Sequence, residues 1–369
     1  MLRKITRRLG PIFYGIPGAK TVHRWWLKIC VAIPIIADMH YLFTGEFRRE
    51  HRAVLAGKLR FLNLSKFSPE AMHYTLRRNI HRLEKGLIMQ PRRPAFAADY
   101  IEETVQLYVS ILQSGLSSAP PEMESQNISV DQTRASLLEW SASVLSAYFG
   151  CVSTSDSRIL SAKALYLSTS DNQTLSSNLD CAPYQRRSTE HQVTPNAFYD
   201  LCLQRRSVRW YSDKKVPDHL VEEAVRIASL SPSACNRQPF RFVITRDPSI
   251  ASRLGAIPMG TVGFSHQFPA FIIVVGDLSA YVHERDRHLI YVDGGLVSMS
   301  LILALETLGL SSCCINWPDI EERERSMGEA LKLETHERPI MCISFGYAAE
   351  KGMVPFSQKK SFQQLIQYV

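Results

Sequence analysis

The stretch RRSVR places Arg205, Arg206, Ser207 and Arg209 within five positions of one another. A phosphate group is bound by charge-assisted donors that converge on it, and the planar guanidinium fork suits that task. If the segment is extended, Arg205, Ser207 and Arg209 share one face, because successive side chains of an extended chain point to opposite sides. The spacing predicts a phosphate site, and a solvated helix end is the alternative.

A second polar stretch, LSPSACNRQPF at residues 230–240, follows directly after a helical pattern. Hydroxyl and amide groups can contact the edge of a heterocycle as paired donors and acceptors. Here they belong to Ser231, Ser233, Asn236 and Gln238. Pro232 and Pro239 restrict the backbone of the stretch. An ordinary loop is the alternative, because Asn, Ser and Pro are common loop formers.

The elements that must position these two stretches follow from the periodicity of residues 198–369. Helical patterns and short β-branched runs alternate there, which indicates an α+β or α/β sheet domain of about 170 residues. The predicted helices cover 198–205, 217–232 and 292–310. The predicted strands cover 240–247, 270–277, 311–317 and 338–348.

The first half of the chain has a different, mainly helical pattern. In residues 68–87, Leu76, Ile80, Leu83 and Leu87 recur at helical spacing, and residues 133–150 return to such a pattern. The opposite face of the first helix is basic, and a solvated surface is its simplest interpretation. We predict a helical domain at 1–150, a Ser/Thr-rich linker at 151–197 and a sheet domain at 198–369.

The two polar stretches, in this order and at this separation, resemble the opening of the FMN-dependent nitroreductase family. The Asp293–Gly294 pair at the start of a long apolar helix and the basic tail agree with that resemblance. It covers about residues 198–369 and leaves the first half unmatched. It implies an α+β fold, a nitroreductase-like mixed sheet flanked by helices, preceded here by a mainly α-helical N-terminal region.

The resemblance also implies a role for each matching residue. Arg205, Ser207 and Arg209 would hold the FMN phosphate and ribityl chain, with Arg206 beside them and Lys359 adding a cation. The family binds FMN at a homodimer interface, so the partner subunit would supply the residues that line the flavin ring, namely Pro232, Ser233 and Asn236. Residues of a later segment would pack against the flavin as well, namely Cys314, Ile315 and Asn316.

The sequence departs from the family pattern at two places. Phe240 stands where the family usually has Trp, and residues 311–317 carry more thiols than the usual loop. We interpret Cys235, Cys313 and Cys314 as packing residues, since vicinal cysteines rarely form an unstrained disulfide.

For the reaction, the hypothesis is a ping-pong cycle in which NAD(P)H delivers hydride to N5 of FMN and a small organic electron acceptor then enters the same cleft. The flavin carries this chemistry, so no catalytic side chain is assigned. No CxxC pair occurs, so no metal ligands are assigned either. Two other classes stay open: a non-catalytic flavin-binding module that docks a partner through its N-terminal helices, and a polyanion binder that uses the basic residues of 77–93.

Composition bears on the cellular context. The 369 residues carry a formal charge of +8, which suits anionic partners, although we expect no nucleic-acid ligand. The spacing of the eight cysteines favours reduced thiols and a cytoplasmic protein.

The apolar run at 25–37 is too short to span a membrane. We expect it to be a buried helix, with a peripheral membrane contact through residues 1–44 as the alternative.

Overall fold

A computed structural model describes the fold for residues 19–63, 69–114, 124–169, 181–186 and 192–369. Contacts within the chain divide it into two units, Met1–Leu55 and Ala56–Val369. The expectations for residues 1–18 and for much of the predicted linker lie outside the described residues.

The described helices and strands follow the predicted order closely. The helices are α1 (Ala19–Ala32), α2 (Pro34–Thr44), α3 (Arg48–Asn63), α4 (Pro69–Leu87), α5 (Ile101–Ser114), α6 (Glu124–Cys151), α7 (Ser157–Leu167), α8 (Pro195–Gln204), α9 (Asp218–Ala228), α10 (Pro248–Gly255), α11 (Leu289–Thr307) and α12 (Glu321–Leu331). The strands are β1 (Phe240–Thr245), β2 (Ala270–Asp277), β3 (Ser311–Asn316) and β4 (Glu337–Gly346). Short 3₁₀ turns, among them Ala234–Asn236, connect them.

The four strands form one sheet in the order β1-β2-β4-β3, and every neighbouring pair is antiparallel. The segment after α8 extends this sheet. Ser207 pairs with Ser312 in a parallel bridge, and Tyr211 pairs with Ala348 in an antiparallel one. The parallel bridge is what makes the sheet mixed. The predicted α+β class, with a mixed sheet flanked by helices, is confirmed.

Both faces of the sheet are buried, which explains why β2 reads as a continuous apolar run. Ile272 and Val274 pack on one side with residues of α9 and α11. Ile273 and Val275 pack on the other side with residues of α10 and α12. The alternation follows from the period of two in a strand.

Helix α11 provides the longest apolar element of the sheet domain. Among the described residues, Glu284–Thr307 is the stretch that is long and apolar enough to cross a membrane, and half of it is buried inside the protein. Val297, Leu301 and Leu305 are fully buried against the sheet. The burial identifies α11 as a core helix of the sheet domain.

Helices α4 to α7 share a second hydrophobic core. Leu76, Ile80 and Leu83 of α4 are fully buried there, as their spacing predicts. Helix α7 lies inside the predicted linker, yet its Ile159 and Tyr166 are buried in the same core. The buried residues of α7 lie on one helical face, but the Ser/Thr-rich segments around the helix hide this pattern in the sequence. The division into domains at 1–150, 151–197 and 198–369 stays a prediction.

The expected burial of residues 25–37 is wrong. Trp25 is 66% exposed and Val31 is 85% exposed, and α2 contains no buried residue. Pro34 begins a second helix and thereby divides the apolar run between α1 and α2.

Candidate functional site

The arginine segment lies along the edge of the sheet. Helix α8 ends at Gln204, and Arg205 adopts an extended backbone with φ −60° and ψ 113°. The N–H of Val208 donates to the carbonyl of Ser312 at 3.0 Å, which fixes the segment beside β3. Gln267 braces the same segment, because its side chain accepts from the Tyr211 N–H at 3.0 Å and donates to the Arg209 carbonyl. The sequence offers no signal for this role of Gln267.

Three of the predicted phosphate ligands meet around one buried thiol, that of Cys313. Burial raises the pKa of Cys313, while the charge of Arg209, a hydrogen bond with Ser207 and the charge of Arg205 lower it. Arg205, Ser207 and Arg209, which alternation puts on one face, therefore all lie within interaction range of the Cys313 thiol. Two guanidinium groups and a hydroxyl at one sheet edge form a donor set suited to an anion.

Arg205 has an unsatisfied donor at this place. Its Nε is buried, and no hydrogen-bond partner for it is found among the described residues. A buried N–H without a partner is costly, so such a group calls for a ligand or an ordered water. Burial raises the pKa of the Glu306 carboxyl on α11. The charge of the nearby Arg205 side chain opposes this increase. Arg205 therefore lies near the C-terminal end of α11, and its Nε–H is available to donate a hydrogen bond to a ligand.

Arg206 points elsewhere and contacts the C-terminal tail. Its guanidinium donates to the carbonyl of Pro355 at 3.0 Å and also to the carbonyl of Phe356. Lys359 follows in that tail and is exposed. Arg206 is thus engaged by the tail backbone, and the predicted contribution of Lys359 to a phosphate site stays a prediction.

The side chains of β3 divide between two surroundings. Cys313 and Ile315 are buried in the core, whereas Cys314 and Asn316 are exposed on the other face. The interpretation of Cys313 as a packing residue is therefore confirmed, whereas alternation turns Cys314 to the exposed face of the strand. Part of Cys314 is exposed to solvent. Its thiol has close protein neighbours, and this burial raises the pKa of the thiol to about 11. Of the three predicted flavin contacts on β3, Cys314 and Asn316 have exposed side chains, whereas the side chain of Ile315 is buried in the core.

The polar loop at 230–240 is held by its own side chains. Ser233 Oγ accepts from the Gln238 N–H at 3.0 Å, and Asn236 Oδ1 accepts from the Gln238 side chain at 2.9 Å. Cys235, Asn236 and Gln238 all have positive φ, between 51° and 53°. Such backbone is rare outside glycine and is found where the surrounding structure requires it. Pro232 is exposed beside this constrained loop, and Ser233 and Asn236 are half-buried in it.

Asp293 anchors the loop to α11. Both of its carboxylate oxygens accept from the N–H of Ala234, at 3.2 and 3.1 Å, and the Tyr281 hydroxyl donates to one of them at 3.4 Å. Burial raises the pKa of Asp293, and these donors together with the charge of Arg237 oppose the increase. The sequence marked Asp293 only as the start of a helix, so its role as an anchor was missed.

The two parts of the candidate site lie at opposite ends of α11. The loop is bound near the start of the helix, through Asp293, whereas Arg205 lies near Glu306 towards its end. Thirteen residues separate these contacts, which corresponds to about 20 Å along a helix at 1.5 Å per residue. Within one chain, the arginines and the loop therefore stand well apart.

Helix α4 packs directly on this loop, at Ala234–Asn236. Its basic face is less solvated than the sequence suggested, since Arg77, Arg78 and Arg82 are half-buried whereas Lys85 is exposed. Arg82 stacks 3.6 Å from the centre of the Tyr100 ring and lies 3.4 Å from the carboxylate of Asp99. Burial and the nearby charge of Arg237 lower the pKa of Arg78. These arginines are engaged within the fold, which weighs against the polyanion-binding alternative.

His81 and Glu84 of α4 are paired with each other, and Glu84 also with a residue of α6. His81 Nδ1 is 3.3 Å from Glu84 Oε2, and Trp140 Nε1 donates to Glu84 Oε1 at 2.9 Å. They belong to the packing between α4 and α6.

Comparison with known proteins places the similarity in the second half of the chain. The sequence model of the nitroreductase family matches residues 202–263 and 259–347. Iodotyrosine deiodinase 1 of Sus scrofa is 35% identical over 197 residues, which cover 46% of this chain and 67% of that protein. A protein of Methanothermobacter thermautotrophicus with the provisional name NADH dehydrogenase/NAD(P)H nitroreductase is 28% identical over 147 residues, or 40% of this chain and 74% of that one.

A solved structure is similar over the same half. An FMN-dependent nitroreductase of Clostridium difficile aligns with 46% of this chain and 96% of its own, at 20% identity and a TM-score of 0.39. The residues that the family model matches contain the arginine segment, the polar loop and all four strands, whereas helices α1 to α7 lie before them.

Proposed function

The chain belongs to the nitroreductase family through its second half, and from that membership we propose that it is an FMN-dependent oxidoreductase acting on a small organic electron acceptor. The observation that carries the proposal is the convergence of Arg205, Ser207 and Arg209 beside β3. The buried Nε of Arg205, which lacks a partner among the described residues, fits an anionic ligand there.

In this proposal the phosphate of FMN is held by Arg205, Ser207 and Arg209. Arg206 acts indirectly, since it binds the tail backbone and so positions the segment that carries Lys359. When bound, FMN supplies the redox chemistry, taking hydride at N5 from NAD(P)H and passing it to the acceptor in a ping-pong cycle. The protein's side chains bind and orient the cofactor, and Cys314, with its pKa raised to about 11, stays a neutral thiol at the site.

We propose further that the active form is a homodimer. The arginines and the loop carrying Pro232, Ser233 and Asn236 stand about 20 Å apart along α11 within one chain. A second copy that packs against α11 would bring its own loop to the arginines of the first. The outer face of α11 suits such a contact, because Val292, Leu296 and Met299 are each more than 40% exposed.

The acceptor class has two candidates. The name of the family, nitroreductase, favours reduction of a nitro group. The 35% identity with an iodotyrosine deiodinase favours reductive removal of halogen from an aromatic amino acid. Both reactions use the same reduced flavin, so they are separated by the acceptor that reoxidises it.

The test begins with the visible absorption spectrum of the purified full-length protein. We expect bound FMN at about one per chain, which bleaches when NADH or NADPH is added anaerobically. Nitroarene, quinone and iodotyrosine are then added separately to the reduced protein, and the acceptor class is the one that restores the spectrum fastest. Bound FMN that neither nicotinamide bleaches would favour the non-catalytic flavin-binding module.

A double variant tests the residues. Arg205→Ala with Arg209→Ala should give a folded protein that no longer retains FMN. Arg226→Ala with Arg241→Ala is the matched control, since it removes the same charge from exposed ion pairs with Glu223 and Glu337. Stoichiometric FMN in the first variant would refute the assignment of the phosphate site.

A further inference from the structure

We propose that helices α1 and α2 dock the protein on the surface of an anionic phospholipid bilayer. This inference is independent of the flavin chemistry. It rests on the exposed apolar side chains of the two helices, on their aromatic composition and on the distribution of charge along the chain.

Exposed apolar side chains are frequent in residues 22–43 and again in the C-terminal tail at 353–369, and the proposal concerns the first of these two parts. We call this set the apolar patch; its members are at least 39% exposed, and they are Val22, Trp25, Trp26, Leu27, Val31, Ile33, Ile35, Met39, Tyr41, Leu42 and Phe43. Soluble proteins seldom leave so many large apolar residues uncovered together, and an uncovered patch marks a surface that meets a partner.

The composition of the patch suits the boundary between lipid and water. Trp25, Trp26 and Tyr41 carry amphipathic rings of the kind that are enriched at membrane interfaces. Phe43 and Val31 are 79% and 85% exposed, and they supply purely apolar area for insertion among the acyl chains. A protein partner would also accept aromatic residues, so charge decides between the two.

Charge identifies the partner as an anionic surface. Residues 1–55 contain ten Lys and Arg against three Asp and Glu, a net charge of +7, whereas the whole chain has +8. In α1, Arg24 and Lys28 are four residues apart and both exposed, so they form one short basic stripe along the helix. Phosphatidylglycerol-type headgroups would pair with this stripe while the patch enters the bilayer beside it.

The two helices lie on the membrane in this proposal and do not cross it. At 1.5 Å per residue, α1 is about 21 Å long and α2 about 17 Å, and the hydrocarbon core is about 30 Å thick. Gly45 ends α2 with φ 68°, and the basic pair Arg48 and Arg49 begins the next helix. Basic residues therefore stand on both sides of the apolar patch along the chain.

The experiment is cosedimentation of the full-length protein with two kinds of vesicle, phosphatidylcholine alone and phosphatidylcholine with one quarter phosphatidylglycerol. We expect at least tenfold tighter binding to the anionic vesicles at low salt, with weaker binding as salt is raised. Each basic residue near an anionic surface contributes about fivefold in affinity. The variant Arg24→Gln, Lys28→Gln should therefore bind on the order of 25-fold more weakly to the anionic vesicles.

A second variant separates apolar insertion from charge. Trp25→Ser, Val31→Ser, Phe43→Ser should lose binding to both kinds of vesicle. The matched control is Leu230→Ser with Val262→Ser, at residues that are 80% and 95% exposed elsewhere in the chain, and it should bind like the wild type. Wild-type protein that stays in the supernatant with both vesicles would overturn the proposal. A second contradicting outcome is a serine variant with a changed oligomeric mass, together with a wild type that binds no vesicles. The apolar patch would then be a contact between copies of the chain.

Discussion

The hydroxyl of Tyr74 donates a hydrogen bond of 2.9 Å to the carboxylate of Asp277, at the end of β2. This bond joins α4, which precedes the part of the chain matched by the family, to the sheet domain. Asp277 also accepts from the Ser279 N–H at 2.8 Å and lies 3.7 Å from the ring of His336. The helical first half is therefore bonded to the domain that carries the candidate site.

We predict that Tyr74→Phe lowers the free energy of unfolding by about 2 kcal/mol, because it removes a buried hydrogen bond to a charged acceptor. Chemical unfolding in urea measures the change. Tyr184→Phe is the control, since Tyr184 is 84% exposed, and it should change the free energy by less than about 0.5 kcal/mol. Equal values for both variants would contradict a stabilising role for the Tyr74–Asp277 bond.

We predict that Gly57→Ala disturbs the contact between α3 and the segment after β2. A Cβ at Gly57 would lie 2.7 Å from the carbonyl carbon and oxygen of Leu278, and backbone cannot move aside cheaply. The expected loss of stability is about 1–3 kcal/mol. Gly328→Ala in α12 is the matched control, because a Cβ there meets nothing within 4 Å. That substitution should raise stability by about 0.5–1 kcal/mol, and thermal unfolding of both variants tests the contrast.

The carboxyl of Asp293 should make stability depend on pH. Burial raises its pKa in the folded state above the ordinary value of 3.8, so the folded protein holds its proton more tightly than the unfolded chain does. Its contribution to stability is fully present below about pH 4 and is lost as pH rises through the folded pKa.

Asp293→Asn removes this titration and keeps one acceptor for the Ala234 N–H. The free energy of unfolding of the wild type, relative to this variant, should therefore fall between pH 4 and pH 7. Urea unfolding at several pH values measures the difference, with exposed Glu222→Gln as the control. A difference that stays constant or grows with pH would show that burial does not dominate at Asp293.

The proposed dimer predicts that Leu296→Glu gives a monomer with little bound FMN. A charge in the apolar face of α11 opposes desolvation at the interface, and a monomer would lack the loop of the second subunit. Sedimentation velocity and the flavin spectrum are measured together. Val262→Glu, at a residue that is 95% exposed outside this face, should remain dimeric and retain FMN. A monomeric Leu296 variant that keeps full FMN would refute a site shared between subunits.

The sequence by itself determined the sheet domain and the grouping of Arg205, Ser207 and Arg209 on one side of their segment. The apolar runs of β2 and β4 and the helical spacing in α4 and α11 are local patterns with a definite period, and the structure follows them closely. The alternation of an extended chain was enough to put Arg205, Ser207 and Arg209 on one side and Arg206 on the other. Local geometry decides these features, so residue order reveals them.

Only the tertiary structure decided what each surface meets. The basic face of α4 seemed solvated, yet it packs on the loop at Ala234–Asn236, because residues more than 150 positions away in the sequence cover it. The apolar run at 25–37 seemed buried, yet most of its side chains are exposed. Periodicity specifies which residues share a face, whereas burial depends on distant partners that pack against that face, and the order of residues does not encode those partners locally.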